Sequence, residues 1–244
     1  FLQAGDYTQI VKKGKKMARD LIAMIADDLI CSGAEPSHLS NIIDVDVLDS
    51  DVLKELFEGL QRAADETGMM ITGGETAELG TRISGYGSKM HFNWCATGIG
   101  VLANDKKPID GSDIQVGDSI ISLRCCGLRS NGFSLARKIL EERFGNEWHN
   151  ELLFPDKTWG QQLLTPSIIY ASHIVYLLER NFPLRGIAHI TGGGVADNLG
   201  RILFPWSKGA YLSDLQEPHY EMKLLQEWGK LSDRECYKTW NMSN

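Results

Sequence analysis

Three glycine-rich segments place hydroxyl or carboxylate side chains beside backbone that a phosphate group could approach closely. They are Thr72-Gly73-Gly74-Glu75-Thr76-Ala77-Glu78, Ser130-Asn131-Gly132 and His189-Ile190-Thr191-Gly192-Gly193-Gly194. Glycine lets backbone N–H groups come close to an anion, and a neighbouring carboxylate such as Glu75 could hold Mg²⁺. The alternatives are a tight turn at the first segment and a helix N-cap by Ser130 or Asn131 at the second.

Two further ionisable features could take part in chemistry at these segments. His189 precedes the glycine triplet, where a lone histidine is about as often structural as catalytic. Asp27 and Asp28 follow an apolar run that begins at Leu21, and adjacent acids there are costly unless they are solvated, capped or bound to a metal. Both cannot easily point at one ion, so Asp28 is the predicted Mg²⁺ ligand, with a plain pair of helix-end or loop carboxylates as the alternative.

The elements that position the first segment can be predicted from apolar spacing. Apolar residues three and four apart predict a helix from Ser50 through Gly68, with Ser50 as its N-cap. Residues 69–72 are predicted as a buried strand that ends at Gly73 and Gly74. Residues 92–102 are predicted as a second strand, and the polar stretch 106–111 marks a domain boundary. The predicted domains are therefore 1–108 and 109–244.

The second half of the chain continues the alternation of strands and helices. Strands are predicted at residues 119–123 and 186–190, helices at 132–142, from Thr165 to about Arg180 and at 195–203, and a loop at 148–157. Thr165 followed by Pro166 is a strong helix start, since threonine can cap and proline suits the first helical position. Alternating elements in both halves predict a mixed α/β protein.

Composition narrows the class of protein. The chain has 244 residues and a formal net charge of -7, which argues against a general nucleic-acid binder but not against a phosphorylated small ligand. No apolar stretch approaches the roughly 20 residues that cross a bilayer, and the first residues show no secretory signal. Five cysteines, an odd number without a C-x-x-C pair, favour reduced thiols and a cytoplasmic location. Neither a Walker loop nor a dinucleotide fingerprint is present.

The order of these features resembles that of the aminoimidazole ribonucleotide synthetase family, the phosphoribosylformylglycinamidine cyclo-ligases. The similarity covers nearly the whole chain, and the ordered set is far more specific than any one motif. The matching segments, with the family pattern after each, are Ala26–Pro36 (N-D-L-x-x-x-G-A-E-P), Gly73–Leu79 (G-G-E-T-A-E-M), Leu128–Leu135 (H-S-N-G-x-S-L), Thr165–Tyr170 (T-x-x-Y) and Ala188–Gly194 (A-H-[LI]-T-G-G-G).

The resemblance implies an α+β fold and a reaction. The implied N-terminal domain has a sheet that pairs with another subunit's sheet to form a barrel in a homodimer, followed by a C-terminal α/β domain. The implied reaction uses ATP and Mg²⁺ to close the imidazole ring of aminoimidazole ribonucleotide from formylglycinamidine ribonucleotide in purine biosynthesis. ATP would phosphorylate the formyl amide oxygen, because phosphate is a far better leaving group than an amide oxygen.

Site roles follow from the same resemblance. Asp28 and Glu75 would be ligands of Mg²⁺ or nucleotide phosphate, and His189 would be the acid/base or substrate-orienting group, so that Asp28 and His189 are the predicted catalytic pair. Contacts to ATP or substrate phosphate would come from Gly74, Thr76, Ser130, Asn131, Gly192, Gly193 and Gly194.

The chain also departs from the family pattern. Asp27 stands where the family often has asparagine, and Arg129 stands where histidine is common. The family carries an Asp-Gly-x-Gly-Thr-Lys segment before the position of Phe1, and a glycine-rich stretch and final strands after the position of Asn244. We therefore expect this chain to be an incomplete enzyme with little or no turnover by itself.

Two other classes of function remain open. One is a different ATP-using member of the same superfamily: selenophosphate synthetase, thiamine-monophosphate kinase, a hydrogenase-maturation protein or the larger formylglycinamidine ribonucleotide synthetase. The other is a non-catalytic relative that binds nucleotide or serves as an assembly partner.

Overall fold

The computed structural model describes residues 14–85 and 90–243 and shows a mixed α+β fold. The predicted fold class is thereby confirmed, whereas the barrel across a dimer stays a prediction. The elements are α1 Gly14–Cys31, β1 Glu35–Val45, α2 Ser50–Thr67, β2 Met70–Glu78, β3 Phe92–Val101, α3 Phe133–Phe144, β4 Leu152–Phe154, β5 Lys157–Thr158, α4 Trp159–Leu163, α5 Ala171–Glu179, α6 Gly194–Leu203, α7 Tyr220–Gly229 and α8 Asp233–Thr239, with short 3-10 turns at Gly80–Arg82, Trp148–Asn150, Phe204–Trp206 and Asn241–Ser243.

The N-terminal half is built on a three-stranded sheet in the order β2-β1-β3. The central strand β1 runs parallel to β2 and antiparallel to β3. Alternate residues of β1, such as Leu39 and Ile43, are fully buried on one face. Helix α1 covers this face, since a Cβ added at Gly98, the partner of Leu39 in β3, would meet the side chain of Ile25.

The opposite face of the sheet is exposed along β1 and β3. Ile42 of β1 and its cross-strand partner Cys95 point outward, as do Ile99 and Val101 further along β3. Exposed apolar side chains at alternating positions are typical of a sheet face that another surface covers.

The predicted helix from Ser50 is confirmed as α2. Asp49, one residue before the predicted cap, accepts hydrogen bonds from the backbone of Asp51 and Val52. Gly68 closes the helix in the left-handed conformation at a φ of 71°. Val52, Leu56 and Leu60 are buried as the spacing predicts, whereas Phe57 is 38% exposed.

The prediction that a strand ends at Gly73 and Gly74 is wrong, because β2 continues through both glycines to Glu78. The glycines pair with Ser40 and Asn41 of β1, beside a register irregularity. A Cβ at Gly74 would lie 3.0 Å from the Asn41 side-chain nitrogen, and a Cβ at Gly73 would lie 3.1 Å from the Ser40 hydroxyl. The glycines thus make room for polar side chains of the neighbouring strand.

Two predicted strands and one predicted loop of the second half differ from the structure. Residues 119–123 and 186–190 are not strands; the first segment is exposed, and neither has a paired neighbour among the described strands. A strand needs a hydrogen-bonded partner, which apolar content alone does not supply. The predicted loop at 148–157 instead contains a 3-10 turn and the short strand β4, which pairs with β5.

The helix predicted to begin at Thr165 begins at Ala171. The intervening residues are held in a non-helical conformation from outside, because Asp20 accepts hydrogen bonds from the backbone and hydroxyl of Ser167. Asp27 then accepts from the backbone N–H groups of Tyr170 and Ala171 at 2.9 and 3.0 Å. A carboxylate from α1 therefore caps α5, in place of the local Thr165 signal.

The hydrophobic core continues into the C-terminal half, where it contains a cluster of aromatic rings. Trp159 of α4 packs against Trp228 of α7, with ring centroids 5.4 Å apart, and Phe144 of α3 meets the same ring edge-on at 5.5 Å. All five cysteines are free, as predicted. Among the described helices, none combines the length and apolar character that crossing a membrane requires.

Candidate functional site

The structure brings the predicted catalytic pair into direct contact. Nδ1 of His189 lies 2.7 Å from Oδ1 of Asp28, although the two residues are 161 positions apart. The side chain of His189 is only 6% exposed, whereas that of Asp28 is 68% exposed. The predicted strand around His189 is absent, but the segment still turns this side chain to the end of α1.

The contact defines the hydrogen-bonding role of each imidazole nitrogen. A carboxylate accepts, so Nδ1 carries the proton that it donates to Asp28. Nε2 is buried and has no partner within residues 14–85 and 90–243. A neutral His189 of this tautomer presents a lone pair on Nε2, which is the arrangement of a general base oriented by a carboxylate.

Cys31 is adjacent to this pair but is not poised to react. Its thiol donates to the backbone oxygen of Asp27 at 3.1 Å. Burial, reinforced by the negative charge of Asp28, raises the pKa of the Cys31 thiol to about 11. Cys31 is therefore a neutral thiol at neutral pH, which argues against a nucleophilic role for it beside the predicted pair.

The glycine triplet after His189 combines structural glycines with open backbone. A Cβ at Gly194 would come within 2.6 Å of the backbone oxygen of Tyr237 in α8, and a Cβ at Gly193 would lie 3.1 Å from the carboxylate of Asp197. Gly192 has nothing within 4 Å of its Cβ position. Close packing explains Gly193 and Gly194, while Gly192 leaves room for a ligand against the backbone.

Asn198 supports this turn and was not singled out from the sequence. Its side-chain oxygen accepts from the backbone N–H of Thr191 at 3.0 Å. Its Nδ2 is buried and lacks a partner in the described part of the chain. The available signal was the position of Asn198 four residues after Gly194, on the buried face of α6.

The second predicted segment lies at the start of α3. Gly132 is the N-cap of α3 and no side chain caps this helix, so the alternative that Ser130 or Asn131 serves as the cap is wrong. Gly132 has a φ of 69°, and a Cβ there would lie 2.4 Å from the ring of Trp240. Trp240 also donates from Nε1 to the Gly132 oxygen at 3.1 Å. The backbone N–H groups at this turn are thus left without a side-chain cap, as an anion site requires.

The last described residues contact both glycine turns, the one at Gly132 and the one that begins at Thr191. Trp240 packs on Gly132, and the neighbouring Asn241 donates from Nδ2 to the Thr191 oxygen at 3.3 Å. Gly194 lies directly against the α8 backbone. Sequence reasoning missed this role of Trp240 and Asn241, because nothing local distinguishes them from ordinary core residues.

The two departures from the family pattern contact each other. Arg129 donates from Nη2 to Oδ2 of Asp27 at 2.8 Å, and both side chains are buried. Asp27 and Asp28 thus face different partners, consistent with the expectation that they do not share one ion.

The first predicted segment lies apart from these contacts, on edge strand β2. Gly74, Glu75 and Thr76 pair with Asn41, Ile42 and Ile43 of β1. All three are exposed, so they are accessible to a ligand. No group of three or more histidine, cysteine, aspartate or glutamate side chains with metal-binding spacing occurs in the described residues. The predicted roles of Asp28 and Glu75 as Mg²⁺ ligands stay predictions.

Comparisons with known proteins identify the family. Residues 4–100 match the sequence model "AIR synthase related protein, N-terminal domain", and residues 115–242 match "AIR synthase related protein, C-terminal domain". The two matches cover most of the chain. The protein therefore belongs to the AIR synthase-related family, as the resemblance implied.

Curated relatives carry the name phosphoribosylformylglycinamidine cyclo-ligase. One from Geotalea uraniireducens (strain Rf4) is 37% identical over 222 residues, covering 91% of this chain and 62% of the relative. Another from Carboxydothermus hydrogenoformans is 36% identical over 236 residues, covering 96% of this chain and 66% of the relative. The chain thus spans less than two thirds of the length of these relatives.

Solved structures show the same fold at low identity. The hydrogenase maturation protein HypE aligns with a TM-score of 0.55 at 20% identity, covering 88% of this chain and 61% of that one. HypE in complex with ATP aligns with a TM-score of 0.54 at 20% identity, covering 88% and 58%. Thiamine monophosphate kinase from Aquifex aeolicus aligns with a TM-score of 0.52 at 16% identity, covering 93% and 69%.

Proposed function

We propose that the chain is the major part of an ATP-dependent cyclo-ligase that converts formylglycinamidine ribonucleotide to aminoimidazole ribonucleotide. The γ-phosphoryl group of ATP is transferred to the formyl amide oxygen, an amidine nitrogen attacks the activated carbon, and phosphate and a proton leave. The products are aminoimidazole ribonucleotide, ADP and phosphate, a step of de novo purine biosynthesis in the cytoplasm.

One contact carries the proposal, the 2.7 Å approach of His189 Nδ1 to Asp28 Oδ1. It unites two motifs from opposite halves of the chain in one site, next to the exposed backbone of Gly192. Ring closure needs a group that removes a proton from the attacking amidine nitrogen. Nε2 of His189, buried and unpartnered in the described part of the chain, suits that role, while Asp28 fixes the tautomer.

The donor set also fits a Mg·ATP complex. Mg²⁺ keeps several waters and takes one or two carboxylates together with phosphate oxygens, so a cluster of three acids is not needed. One oxygen of Asp28 contacts His189, and the exposed carboxylate leaves its other oxygen accessible to solvent and ions. When bound, Mg²⁺ would neutralise charge on the phosphoryl group. The Gly192 backbone and Asn198 Nδ2 would donate hydrogen bonds to phosphate oxygens.

The proposal includes a homodimer formed through the open face of the β2-β1-β3 sheet. Ile42, Ile99 and Val101 expose large apolar side chains on this face. Covering them removes apolar surface from water, and a second copy of the chain offers a surface of matching chemistry.

The decisive experiment measures Mg·ATP binding and then ADP release, with and without formylglycinamidine ribonucleotide. The curated Geotalea uraniireducens relative, of which this chain covers 62%, is the positive control for the assay. ADP release that rises only with the substrate supports cyclisation.

A matched pair of histidine variants locates the chemistry. Asparagine in His189→Asn keeps a donor for Asp28 but removes Nε2, so substrate-dependent ADP release should fall about 100-fold or more while Mg·ATP binding persists. His173→Asn alters an exposed histidine on α5 and should leave turnover unchanged. Equal activity of His189→Asn and wild type would remove His189 from the reaction.

A second candidate is another ATP-using activity of the superfamily. The observation in its favour is the fold shared with HypE and thiamine monophosphate kinase. ADP release that is indifferent to formylglycinamidine ribonucleotide would favour this candidate over cyclisation. Failure of the chain to bind Mg·ATP at all would favour a non-catalytic relative.

A further inference from the structure

The carboxylate of Asp27 joins three segments that are distant in sequence. Its Oδ2 accepts from Arg129 Nη2 at 2.8 Å, and its Oδ1 accepts from the N–H groups of Tyr170 and Ala171. The side chains of Asp27 and Arg129 are 4% and 10% exposed. One buried group therefore connects the end of α1, the turn before α3 and the first residues of α5.

Arg129 is held in an unfavourable conformation at this point. Its φ of 51° lies in the left-handed region, which a residue with a Cβ adopts at a cost. Its guanidinium lies 5.3 Å from the centroid of the Tyr170 ring, and Tyr170 in turn donates from its hydroxyl to the Arg124 oxygen at 2.5 Å. The contacts of the guanidinium with Asp27 and Tyr170 oppose the backbone cost and fix the turn.

Both partners of this ion pair are next to residues of the proposed site. Asp27 and Asp28 are consecutive in α1, so their side chains lie about 100° apart around the helix axis. Fixing Asp27 therefore fixes the rotation of the helix end and the direction in which Asp28 approaches His189. On the other side, Arg129 immediately precedes Ser130 and Gly132, where α3 begins without a side-chain cap.

We infer that Asp27 and Arg129 form a positioning pair, which holds Asp28 in hydrogen-bonding contact with His189 without touching substrate. For a buried ion pair of this kind, removing one partner and removing both partners have different effects on stability. Loss of one partner leaves the other charge buried and uncompensated, whereas loss of both charges is far less damaging. The inference rests on the proposed function for the claim that this site is catalytic. The contact between Asp28 and His189, which the pair holds in place, is present whatever reaction the protein catalyses.

The test follows the Nδ1–H of His189 in ¹H–¹⁵N NMR spectra of the 244-residue chain. The signal is assigned from its loss in His189→Asn and its shift in Asp28→Asn. We expect Arg129→Met and Asp27→Asn each to broaden or abolish it, and the double variant Asp27→Asn/Arg129→Met to recover it in part. Arg129→Lys keeps the charge but not the planar fork, and replaces Arg129→Met if that variant does not fold.

Arg19→Met is the matched control. Arg19 lies on the same helix and also reaches the segment before α5, donating from Nε to the Ser167 oxygen at 2.9 Å and pairing with Glu66. We expect this variant to lose stability while keeping the His189 signal, with all spectra recorded below the onset of melting seen by circular dichroism. An unchanged signal in Arg129→Met and Asp27→Asn, or an equal loss in Arg19→Met, would overturn the inference.

Turnover gives a second readout that separates the inference from the proposed function. Where substrate-dependent ADP release is measurable, the single variants should lower kcat about 10-fold to 100-fold with little change in KM for ATP, because the reacting groups are displaced rather than removed. ADP release that is indifferent to formylglycinamidine ribonucleotide in wild type and variants alike would refute the proposed function. The NMR result would still decide the positioning role.

Discussion

Replacing Gly194 with alanine separates packing from ligand binding within the glycine triplet. Gly194 has a φ of 79°, and a Cβ there would lie 2.6 Å from the Tyr237 oxygen and 2.9 Å from the Lys238 Cα. Both neighbours are backbone of α8, so no flexible side chain can move aside. Gly192 is the matched control, because its φ is outside the left-handed region and nothing lies within 4 Å of its Cβ position.

The expected loss in Gly194→Ala has two parts. A left-handed backbone costs alanine about 1–2 kcal/mol relative to glycine. Forcing α6 and α8 apart adds roughly 1–3 kcal/mol, the usual cost of overpacking. The sum is about 2–5 kcal/mol, which corresponds to a fall in Tm of roughly 4–20 °C for a domain of this size. Gly192→Ala should change the free energy of unfolding by less than about 0.5 kcal/mol.

Thermal and urea unfolding of both variants, followed by Mg·ATP titration, make the comparison. Gly194→Ala should melt early, whereas Gly192→Ala should melt like wild type and yet bind phosphorylated ligand more weakly, since its methyl group occupies the open backbone. Equal melting of the two variants would refute the packing explanation of Gly194. Unchanged ligand binding by Gly192→Ala would refute the proposed approach of phosphate to this backbone.

Three other perturbations have defined outcomes. Burial, opposed by hydrogen bonds from Ser167, raises the pKa of Asp20 from 3.8 to about 6. The contribution of Asp20 to stability is therefore present below pH 3.8 and is lost as the pH rises through about 6. Urea unfolding measured across this pH range should show the wild type losing roughly 3 kcal/mol of unfolding free energy relative to Asp20→Asn. Trp240→Phe removes the donor to the Gly132 oxygen and should cost about 1–2 kcal/mol in urea unfolding. Ile42→Lys should convert the proposed dimer to monomer in analytical ultracentrifugation, whereas Val47→Lys, outside the sheet, should leave it intact.

Local sequence patterns predicted an element correctly where contacts with distant parts of the chain did not change its conformation. The helix from Ser50 has both its apolar spacing and its closing Gly68, and the strand from Phe92 has an alternating buried face. Both were predicted within one residue at each end, since amphipathic periodicity and a left-handed glycine act within the element itself.

Long-range contacts decided the elements that were predicted wrongly. Thr165 and Pro166 form a good local helix start, but Ser167 and Tyr170 bind carboxylates from α1, more than a hundred residues earlier. Gly73 and Gly74 suggest a turn locally, yet they lie within a strand because β1 places polar side chains beside them. No local pattern reports such partners.

At the candidate site, too, the sequence predicted individual residues, whereas the contacts between them became visible only in the structure. Residue chemistry alone selected Asp28 over Asp27 and took His189 only to even odds between structure and catalysis, and the resemblance made the two the predicted catalytic pair. The geometry then joined the two side chains. The ion pair of Asp27 with Arg129 was visible beforehand only as two unexplained departures, because pairing across 102 positions has no signature in one sequence.

The anchoring of both glycine turns by Trp240 and Asn241 also has a consequence for the order of synthesis. Gly132 leaves the ribosome 108 residues before Trp240, and Thr191 leaves 50 residues before Asn241. At about 5–20 residues per second, the two turns therefore exist for roughly 3–20 s without the residues that fix them. A nascent chain halted near the start of α8 would carry every motif of the site but hold neither glycine turn in its final shape.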